Sequence, residues 1–153
     1  MIKKIVLKQS IPIFTILFFS LCVRGQEMKS SENSYKTELE NEIWITDKIL
    51  GLNDKVKKYT LTKYTQRKFA GNLTAFSNKE SYTSQYVAPC GNDYFTTVVG
   101  KCKFIDKNKI AISVDSVTYH GEWNKPTEYR KSKELIFSIS KSDHTIIFTK
   151  LND

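Results

Sequence analysis

The chain has 153 residues and a formal net charge of +8, from 24 lysines and arginines against 16 aspartates and glutamates. Four of the basic residues and none of the acidic ones lie in residues 1–25, so the rest of the chain has 20 basic and 16 acidic residues and a net charge of +4. That charge is ordinary for a soluble domain. It lacks the dense basic surface of a nucleic-acid-binding protein, and we predict no nucleic-acid partner.

The first 25 residues have the order of a secretory signal peptide. Three lysines among the first eight residues precede an apolar run at 11–23, and Gly25 follows it. The run is shorter than the ~20 residues of a membrane-spanning helix, and this order is typical of a cleaved leader. We predict cleavage after Gly25, export as a secreted or periplasmic protein, and no permanent membrane span. Lipoprotein anchoring at Cys22 is disfavoured, since Leu21 is bulky where lipidation needs a small residue.

Strand patterns dominate the chain after the leader. Residues 26–41 are polar and predict a flexible spacer, with a short helical turn at 37–42. Beyond it, apolar and polar residues mostly alternate, which is the period of strands that bury one face. The predicted strands lie at 43–49, 59–64, 72–76, 81–87, 94–99, 101–105, 110–119, 135–139 and 145–151.

The alternation changes phase within the strand that begins at Ile110. Ile110 and Val114 fall on one face, whereas Val117 and Tyr119 have the opposite parity. A β-bulge inserts one residue and returns the following residues to the original face. We therefore predict a bulge or bend near Asp115-Ser116.

These patterns predict an all-β domain over residues 42–153. Closely spaced turns favour antiparallel strands that are joined by hairpins rather than crossovers. A single sheet of this size has to close on itself or split in two to bury its apolar face. We predict an antiparallel meander of eight to nine strands that closes into a barrel, with the last strand paired back toward the first.

Two cysteines, Cys90 and Cys102, remain after the predicted cleavage. An even number of cysteines in an oxidising compartment favours one disulfide bond. Closing this short loop would stabilise the fold by ~3 kcal/mol. The alternative is two free or buried thiols, since a disulfide also requires close Cα atoms.

Aromatic residues recur on the predicted strands. Ordinary core packing is one interpretation. The other is that several of them line a cavity for an apolar ligand, because an eight-stranded barrel is just wide enough to hold one. The candidate cavity-lining residues are Tyr59, Phe76, Tyr82, Phe95, Phe104 and Phe137.

No residue pattern points to catalysis, metal binding or a cofactor, and we predict none of the three. His120 and His144 are far apart, and no Cys-x-x-Cys pair accompanies them. The chain also lacks a Gly-x-Ser-x-Gly nucleophile turn and a glycine-rich phosphate loop. Basic clusters at Lys55–Lys58 and Arg130–Lys133 are interpreted as solvated loops and strand ends, with a negatively charged surface partner as the alternative.

Several segments resemble the small bacterial secreted proteins of the lipocalin-like (calycin-type) group. The resemblance extends over Glu42–Leu151, and it rests on Asn41-Glu42-Ile43-Trp44, Cys90-Gly91-Asn92-Asp93, Gly100-Lys101-Cys102-Lys103-Phe104 and Ile110 to Val114. The Cys90-Gly91-Asn92 step before a glycine-containing hairpin is also similar to META-type (heat-shock HslJ-like) domains. Both resemblances imply a compact antiparallel β domain, which in the lipocalin-like case is a barrel.

We therefore expect a monomeric, exported, non-catalytic protein that binds a small apolar or amphipathic ligand. The alternative is a protein-interaction or inhibitor domain that uses the loops Ala88–Asp93 and His120–Arg130; an enzyme is the third and least favoured class. A hollow apolar interior would favour the ligand-binding function. A packed interior with an exposed aromatic patch would favour a protein partner.

Overall fold

One short helix and nine antiparallel strands form the part of the protein that the structure, a computed structural model, describes: residues 34–65, 69–123, 125–131 and 133–151. These residues belong to one unit, Asn33–Asp153. The predicted leader, the cleavage after Gly25, Cys22 and the first part of the spacer lie outside the described residues. Within them, no helix has the length and apolar character needed to cross a bilayer.

The elements are short except for one long hairpin. The helix α1 spans Ser34–Glu40. The strands are β1 (Ile43–Thr46), β2 (Lys58–Lys63), β3 (Gly71–Ser77), β4 (Ser81–Val87), β5 (Tyr94–Asp106), β6 (Lys109–Gly121), β7 (Glu128–Tyr129), β8 (Leu135–Ser142) and β9 (Thr145–Lys150).

Eight of the nine strands are hydrogen-bonded in a ring. Its order is β1-β2-β9-β8-β6-β5-β4-β3, and β3 pairs with β1 to complete it. The short strand β7 pairs with β6 and lies outside the ring. The prediction of an all-β antiparallel fold with eight to nine strands is confirmed at this level.

The strand order departs from the predicted meander at β1 and β2. β1 lies between β2 and β3 and is antiparallel to both, so β2 and β3 run parallel to each other. The chain therefore has to cross β1 between them, and the prediction of hairpins throughout is wrong here. The last strand pairs with β2 rather than with β1. Alternation specifies which face of a strand is buried, but it does not specify the strand's neighbours.

The core fills the inside of the ring. Its buried members come from every ring strand and include Trp44, Tyr59, Leu61, Phe76, Tyr82, Val98, Ile110, Ile112, Val114, Phe137, Ile139, Ile146 and Phe148. Phe137 and Ile139 of β8 are buried, and Leu135 packs against the core. Ser138 is half-buried and Ser140 is exposed, as expected for the opposite face.

Different segments cover the two ends of β1. α1 precedes β1, and its Leu39 is fully buried; the Leu39 carbonyl oxygen accepts a hydrogen bond from Trp44 Nε1 at 3.2 Å. The loop between β1 and β2 follows the other end, where Leu50 is fully buried. α1 lies within the stretch predicted as a spacer, so the folded part of the chain begins before Glu42.

The predicted bulge in β6 is confirmed. Val114 and Ser116 pair with consecutive residues of β5, so Asp115 between them is an extra residue. The insertion lets both Val114 and Val117 be buried, at 3% and 0% exposure, although their sequence parity differs. Gly100 of β5 lies opposite, and a Cβ atom there would collide with the backbone of β6.

Candidate ligand-binding groove

An open cavity of about 950 Å³ lies beside the β1–β2 loop. We call it the loop-end groove, and its lining residues are Gly51, Leu52, Asn53, Asp54, Val114, Arg130, Lys133, Glu134, Leu135, Ile136 and Lys150. They come from the β1–β2 loop, from the segment between β7 and β8, from the first two residues of β8, and from single positions on β6 and β9. Small-molecule sites usually measure roughly 300–1,000 Å³, so the groove has the size of such a site.

The groove arises where β6 changes its partner. The first part of β6 pairs with β8 as far as Ile112, and pairing with β7 begins at Ser116. Val114 lies between these two stretches and lines the groove. The bulge residue Asp115 accepts a hydrogen bond at its carbonyl oxygen from the backbone N–H of Arg130, at 2.8 Å. The bulge therefore anchors the segment that forms one wall.

Arg130 joins two walls of the groove. Its Nη1 donates a hydrogen bond to the carbonyl oxygen of Leu52 at 2.9 Å, and its Nη2 donates to Glu128 Oε2 at 2.8 Å. The other carboxylate oxygen of Glu128 accepts a hydrogen bond from the Tyr119 hydroxyl at 2.7 Å. The pKa of the Glu128 carboxyl is lowered, mainly by the hydrogen bond from Arg130 and next by the one from Tyr119. Glu128 therefore stays ionised and orients the guanidinium group.

Buried hydroxyl groups hold the β1–β2 loop from inside the ring. The backbone N–H of Leu50 donates a hydrogen bond to Ser84 Oγ at 2.9 Å. The Ser84 hydroxyl is 2.8 Å from that of Thr74, which is 3.2 Å from that of Thr46. All three side chains are buried. This chain of hydrogen bonds connects the loop to β1, β3 and β4, so the wall of the groove is fixed to the core.

Gly51 lets the same loop approach two buried tyrosines. Its φ of 78° lies in the left-handed region, and a Cβ atom would collide with the hydroxyl of Tyr82. Its N–H donates a hydrogen bond to the Tyr59 hydroxyl at 3.3 Å. Burial raises the pKa of Tyr59, so this hydroxyl stays protonated at neutral pH. Glycine is required at this position of the groove wall.

The lining of the groove is amphipathic. Its apolar side chains are Leu52, Val114, Leu135 and Ile136, and its charged ones are Asp54, Arg130, Lys133, Glu134 and Lys150. Lys150 Nζ donates a hydrogen bond to the carbonyl oxygen of Asp54 at 2.9 Å. Lys133 and Glu134 are exposed, whereas Leu135 and Ile136 are half-buried. The groove therefore presents apolar surface and charged groups side by side.

Four of the six predicted cavity-lining aromatics lie in the packed core. Tyr59, Phe76, Tyr82 and Phe137 are each at most 4% exposed. The rings of Tyr59 and Phe137 are 5.7 Å apart at their centroids, and those of Phe76 and Tyr82 are 6.2 Å apart. None of the four lines the loop-end groove. Two of them contribute indirectly, because the hydroxyls of Tyr59 and Tyr82 lie against the β1–β2 loop.

The other two predicted aromatics, Phe95 and Phe104, lie on β5 outside the groove lining. Phe104 is partly buried and packs against the core. Phe95 is half-buried and its ring is 6.2 Å from that of Tyr86. Prediction from alternation alone missed the groove residues of the loops. The available signals were the predicted bulge and the basic cluster that begins at Arg130.

The predicted disulfide between Cys90 and Cys102 is wrong, because both cysteines are free. Cys90 is exposed in the connection between β4 and β5, and Cys102 is buried on β5. Cys102 lies eight residues beyond Tyr94, the first residue of β5. A strand of that length spans about 26 Å, whereas a disulfide needs Cα atoms within roughly 7 Å. Burial raises the pKa of the Cys102 thiol to about 12.

The two histidines are separated in the fold as well as in the sequence. His120 lies near the end of β6, and His144 lies in the turn between β8 and β9. Across the described ranges, no three histidine, cysteine, aspartate or glutamate side chains are grouped as ligands of a metal ion.

The two loops predicted for protein interaction are adjacent. The backbone N–H of Glu122 donates a hydrogen bond to the carbonyl oxygen of Asp93 at 3.1 Å. The Asp93 carboxylate in turn accepts one from the Tyr86 hydroxyl at 3.0 Å. The loops Ala88–Asp93 and His120–Arg130 therefore meet at one end of the β5–β6 hairpin.

An aromatic patch, formed by Tyr94, Tyr119 and Trp123, lies where these loops meet. The Trp123 ring centroid is 5.0 Å from that of Tyr94 and 5.5 Å from that of Tyr119. Lys125 Nζ lies 4.7 Å from the Trp123 ring centroid, within cation–π range. Tyr94 is 55% exposed.

Trp123 Nε1 is buried and has no hydrogen-bond partner among the described residues.

Comparison of the chain with protein-family models, with curated proteins and with solved structures finds no match.

Proposed function

We propose that this is an exported, monomeric, non-catalytic protein that binds a small apolar or amphipathic ligand, and that its ring of strands is a lipocalin-like barrel. The observation that carries the binding proposal is the loop-end groove, with its volume of about 950 Å³ and its amphipathic lining. Export rests on the order of the first 25 residues. The lipocalin-like assignment rests on the resemblance over Glu42–Leu151. The proposal that the protein is non-catalytic rests on the lack of a catalytic motif in its sequence.

The proposed site is the groove rather than the inside of the ring. Aromatic side chains occupy the interior in ring-to-ring contact, and the Phe137 and Phe148 centroids are 6.3 Å apart. A ligand there would have to displace core side chains, at a cost of several kcal/mol for each. A ligand in the groove contacts half-buried side chains such as Leu135 and Ile136 without disturbing the core.

The expected affinity is moderate. Burial of apolar ligand surface contributes ~25 cal/mol per Å², so roughly 300 Å² of it contributes about 7 kcal/mol. Part of this gain is offset by the entropy that the ligand loses on association. We therefore expect dissociation constants of about 10–100 μM for a single-chain amphiphile.

Titration of a fluorescent fatty-acid probe tests the proposal. We expect saturable binding, weakened about fivefold to tenfold in Leu52→Ser and Ile136→Ser, because each removes part of the apolar lining. The matched control is Ile105→Ser, an exposed isoleucine of β5 that does not line the groove. Absence of saturation, or equal weakening in all three variants, would contradict the proposal.

A second candidate function is a protein-interaction domain that uses the aromatic patch. The observation that favours it is the buried Trp123 Nε1, which has no hydrogen-bond partner within the part of the chain that the structure describes, next to the exposed Tyr94 ring. Tryptophan and tyrosine are enriched in binding hot spots. The test is capture of a partner from the medium of the producing cells. We expect Tyr94→Ala to abolish capture and Ile136→Ser to leave it unchanged. The reverse pattern would contradict this function.

A further inference from the structure

One continuous set of hydrogen bonds joins the aromatic patch to the loop-end groove. Tyr119, a member of the patch, donates its hydroxyl hydrogen to Glu128 Oε1 at 2.7 Å. Glu128 Oε2 accepts a hydrogen bond from Arg130 Nη2 at 2.8 Å, and Arg130 Nη1 donates to the Leu52 carbonyl oxygen at 2.9 Å. Arg130 and Leu52 both line the groove. We call Tyr119, Glu128 and Arg130 the relay.

The Glu128 carboxylate makes the two ends of the relay depend on each other. Its two oxygens are fixed to one carbon atom, and each oxygen accepts a hydrogen bond from a different neighbour. A displacement of the Arg130 guanidinium by about 1 Å would take its 2.8 Å bond beyond hydrogen-bond range unless the carboxylate follows it. Whether the carboxylate follows or loses this partner, the acceptor of the Tyr119 hydroxyl is changed.

The Tyr119 ring contacts Trp123 at the patch end of the relay. The two ring centroids are 5.5 Å apart and the ring planes are inclined at 66°, which is an edge-to-face contact. Lys125 Nζ lies 5.4 Å from the Tyr119 centroid and 4.7 Å from the Trp123 centroid, so one cation contacts both rings. A change at the Tyr119 side chain therefore reaches the surroundings of the Trp123 ring.

We propose that occupation of the loop-end groove is communicated to the aromatic patch through the relay, so that the patch is a protein-interaction surface controlled by the groove ligand. This inference rests on the proposed binding function. A ligand in the groove takes up space beside Arg130, so the guanidinium has one arrangement in the empty groove and another in the occupied groove. Such coupling is reciprocal, and a partner on the patch changes the affinity of the groove for its ligand by the same factor.

Fluorine NMR of protein labelled with 5-fluorotryptophan tests the inference. The chain has two tryptophans, so Trp123 gives a signal from the patch and the buried Trp44 gives an internal control from the core. The Trp123→Phe variant assigns the two signals. Dodecanoate is titrated into the protein, and calorimetry measures its binding to the same sample. We expect the Trp123 signal to shift with the dissociation constant that calorimetry gives, and the Trp44 signal to stay in place.

Tyr119→Phe and Tyr129→Phe remove the same hydroxyl group at different places. Tyr119 belongs to the relay, whereas Tyr129 is an 86% exposed residue of β7. We expect Tyr119→Phe to bind dodecanoate within about threefold of the wild type but to lose most of the Trp123 shift, and Tyr129→Phe to keep both. Binding without a Trp123 shift, or an equal shift in Tyr119→Phe, would overturn the inference, whereas the binding itself would still support the proposed function. Absence of binding by calorimetry would reject the proposed function and this inference together.

Discussion

Arg130 Nη1 lies 2.9 Å from the carbonyl oxygen of Leu52, a hydrogen bond between residues 78 positions apart. It connects the segment after β7 to the β1–β2 loop, and these are the two main walls of the loop-end groove. Glu128 fixes the same guanidinium from the other side. The Arg130 side chain therefore joins two walls that the buried hydroxyls and the β6 bulge each attach to the rest of the fold.

Replacing Arg130 by methionine keeps much of the side-chain length and removes both hydrogen bonds. We expect a loss of about 1 kcal/mol in the free energy of unfolding, the usual net value of a partly exposed hydrogen bond. Urea denaturation measures it. Lys131→Met, the same kind of change at an exposed neighbour, should stay within about 0.5 kcal/mol of the wild type. Equal losses in the two variants would show that Arg130 does not join the walls.

Acidification should weaken the same connection. In the folded protein, the hydrogen bond from Arg130 lowers the pKa of Glu128 most, and the hydrogen bond from Tyr119 lowers it further. A carboxyl whose pKa is lowered by folding stabilises the fold at pH values above its pKa in the unfolded chain. This stabilisation is lost as the pH falls through the pKa of Glu128 in the folded protein. Between about pH 6 and pH 3 the wild type should therefore lose more stability than Glu128→Gln, by urea denaturation at each pH. Parallel pH profiles of the two proteins would contradict this assignment.

The buried hydroxyl chain predicts a stability loss at Ser84. Ser84→Ala leaves the buried N–H of Leu50 without its acceptor, and such a group costs about 1–3 kcal/mol. Ser81→Ala on the same strand is the control, because Ser81 is the half-buried end of β4 and should tolerate the change within about 0.5 kcal/mol. Hydrogen exchange at the Leu50 amide should accelerate only in Ser84→Ala. Unchanged exchange there would argue against the hydroxyl chain as the anchor of the loop.

The two cysteines should differ sharply in reactivity. Cys90 is exposed, whereas Cys102 is buried and its thiol pKa is raised to about 12. Since the thiolate is the reactive form, iodoacetamide should modify Cys90 but not Cys102 in the native protein and both of them in urea, as measured by mass spectrometry of the labelled peptides. Cys90→Ser should abolish native labelling, and Cys102→Ser should keep it. Native protein without any reactive thiol would restore the disulfide prediction.

The alternation in β8 predicts a large contrast between neighbouring positions. Phe137 is 1% exposed and contacts the rings of Tyr59 and Phe148. Phe137→Ala should lower the free energy of unfolding by about 3–5 kcal/mol. Ser138→Ala removes a hydrogen bond to the Thr149 carbonyl oxygen at the surface and should cost less than about 1 kcal/mol. Similar losses at both positions would mean that Phe137 does not face the core.

Alternation was enough to predict the buried faces and the bulge. Side chains at successive strand positions point to opposite sides, so the phase change between Val114 and Val117 required an extra residue between them, and Asp115 is that residue. The same local signal carries no information about partners. β1 could not be placed between β2 and β3 from sequence, because that pairing joins segments such as Ile45 and Leu73 that are distant in the chain.

The groove was beyond prediction for the same reason. It forms where β6 exchanges β8 for β7, and where Arg130 reaches a carbonyl oxygen in another loop. The disulfide prediction failed because it used the compartment and an even number of cysteines. It did not consider where the two side chains lie: Cys102 is buried in the core, whereas Cys90 is exposed in a surface connection.

The location of the bound ligand tests the central claim most directly. Dodecanoate is titrated into isotope-labelled protein, and methyl and amide NMR shifts are followed for each residue. The account predicts saturable shifts at the groove residues Leu52, Val114, Leu135 and Ile136, with the core signals of Phe76 and Phe148 unchanged. Shifts confined to Tyr94 and Trp123, shifts throughout the core, or no saturable shifts would contradict it.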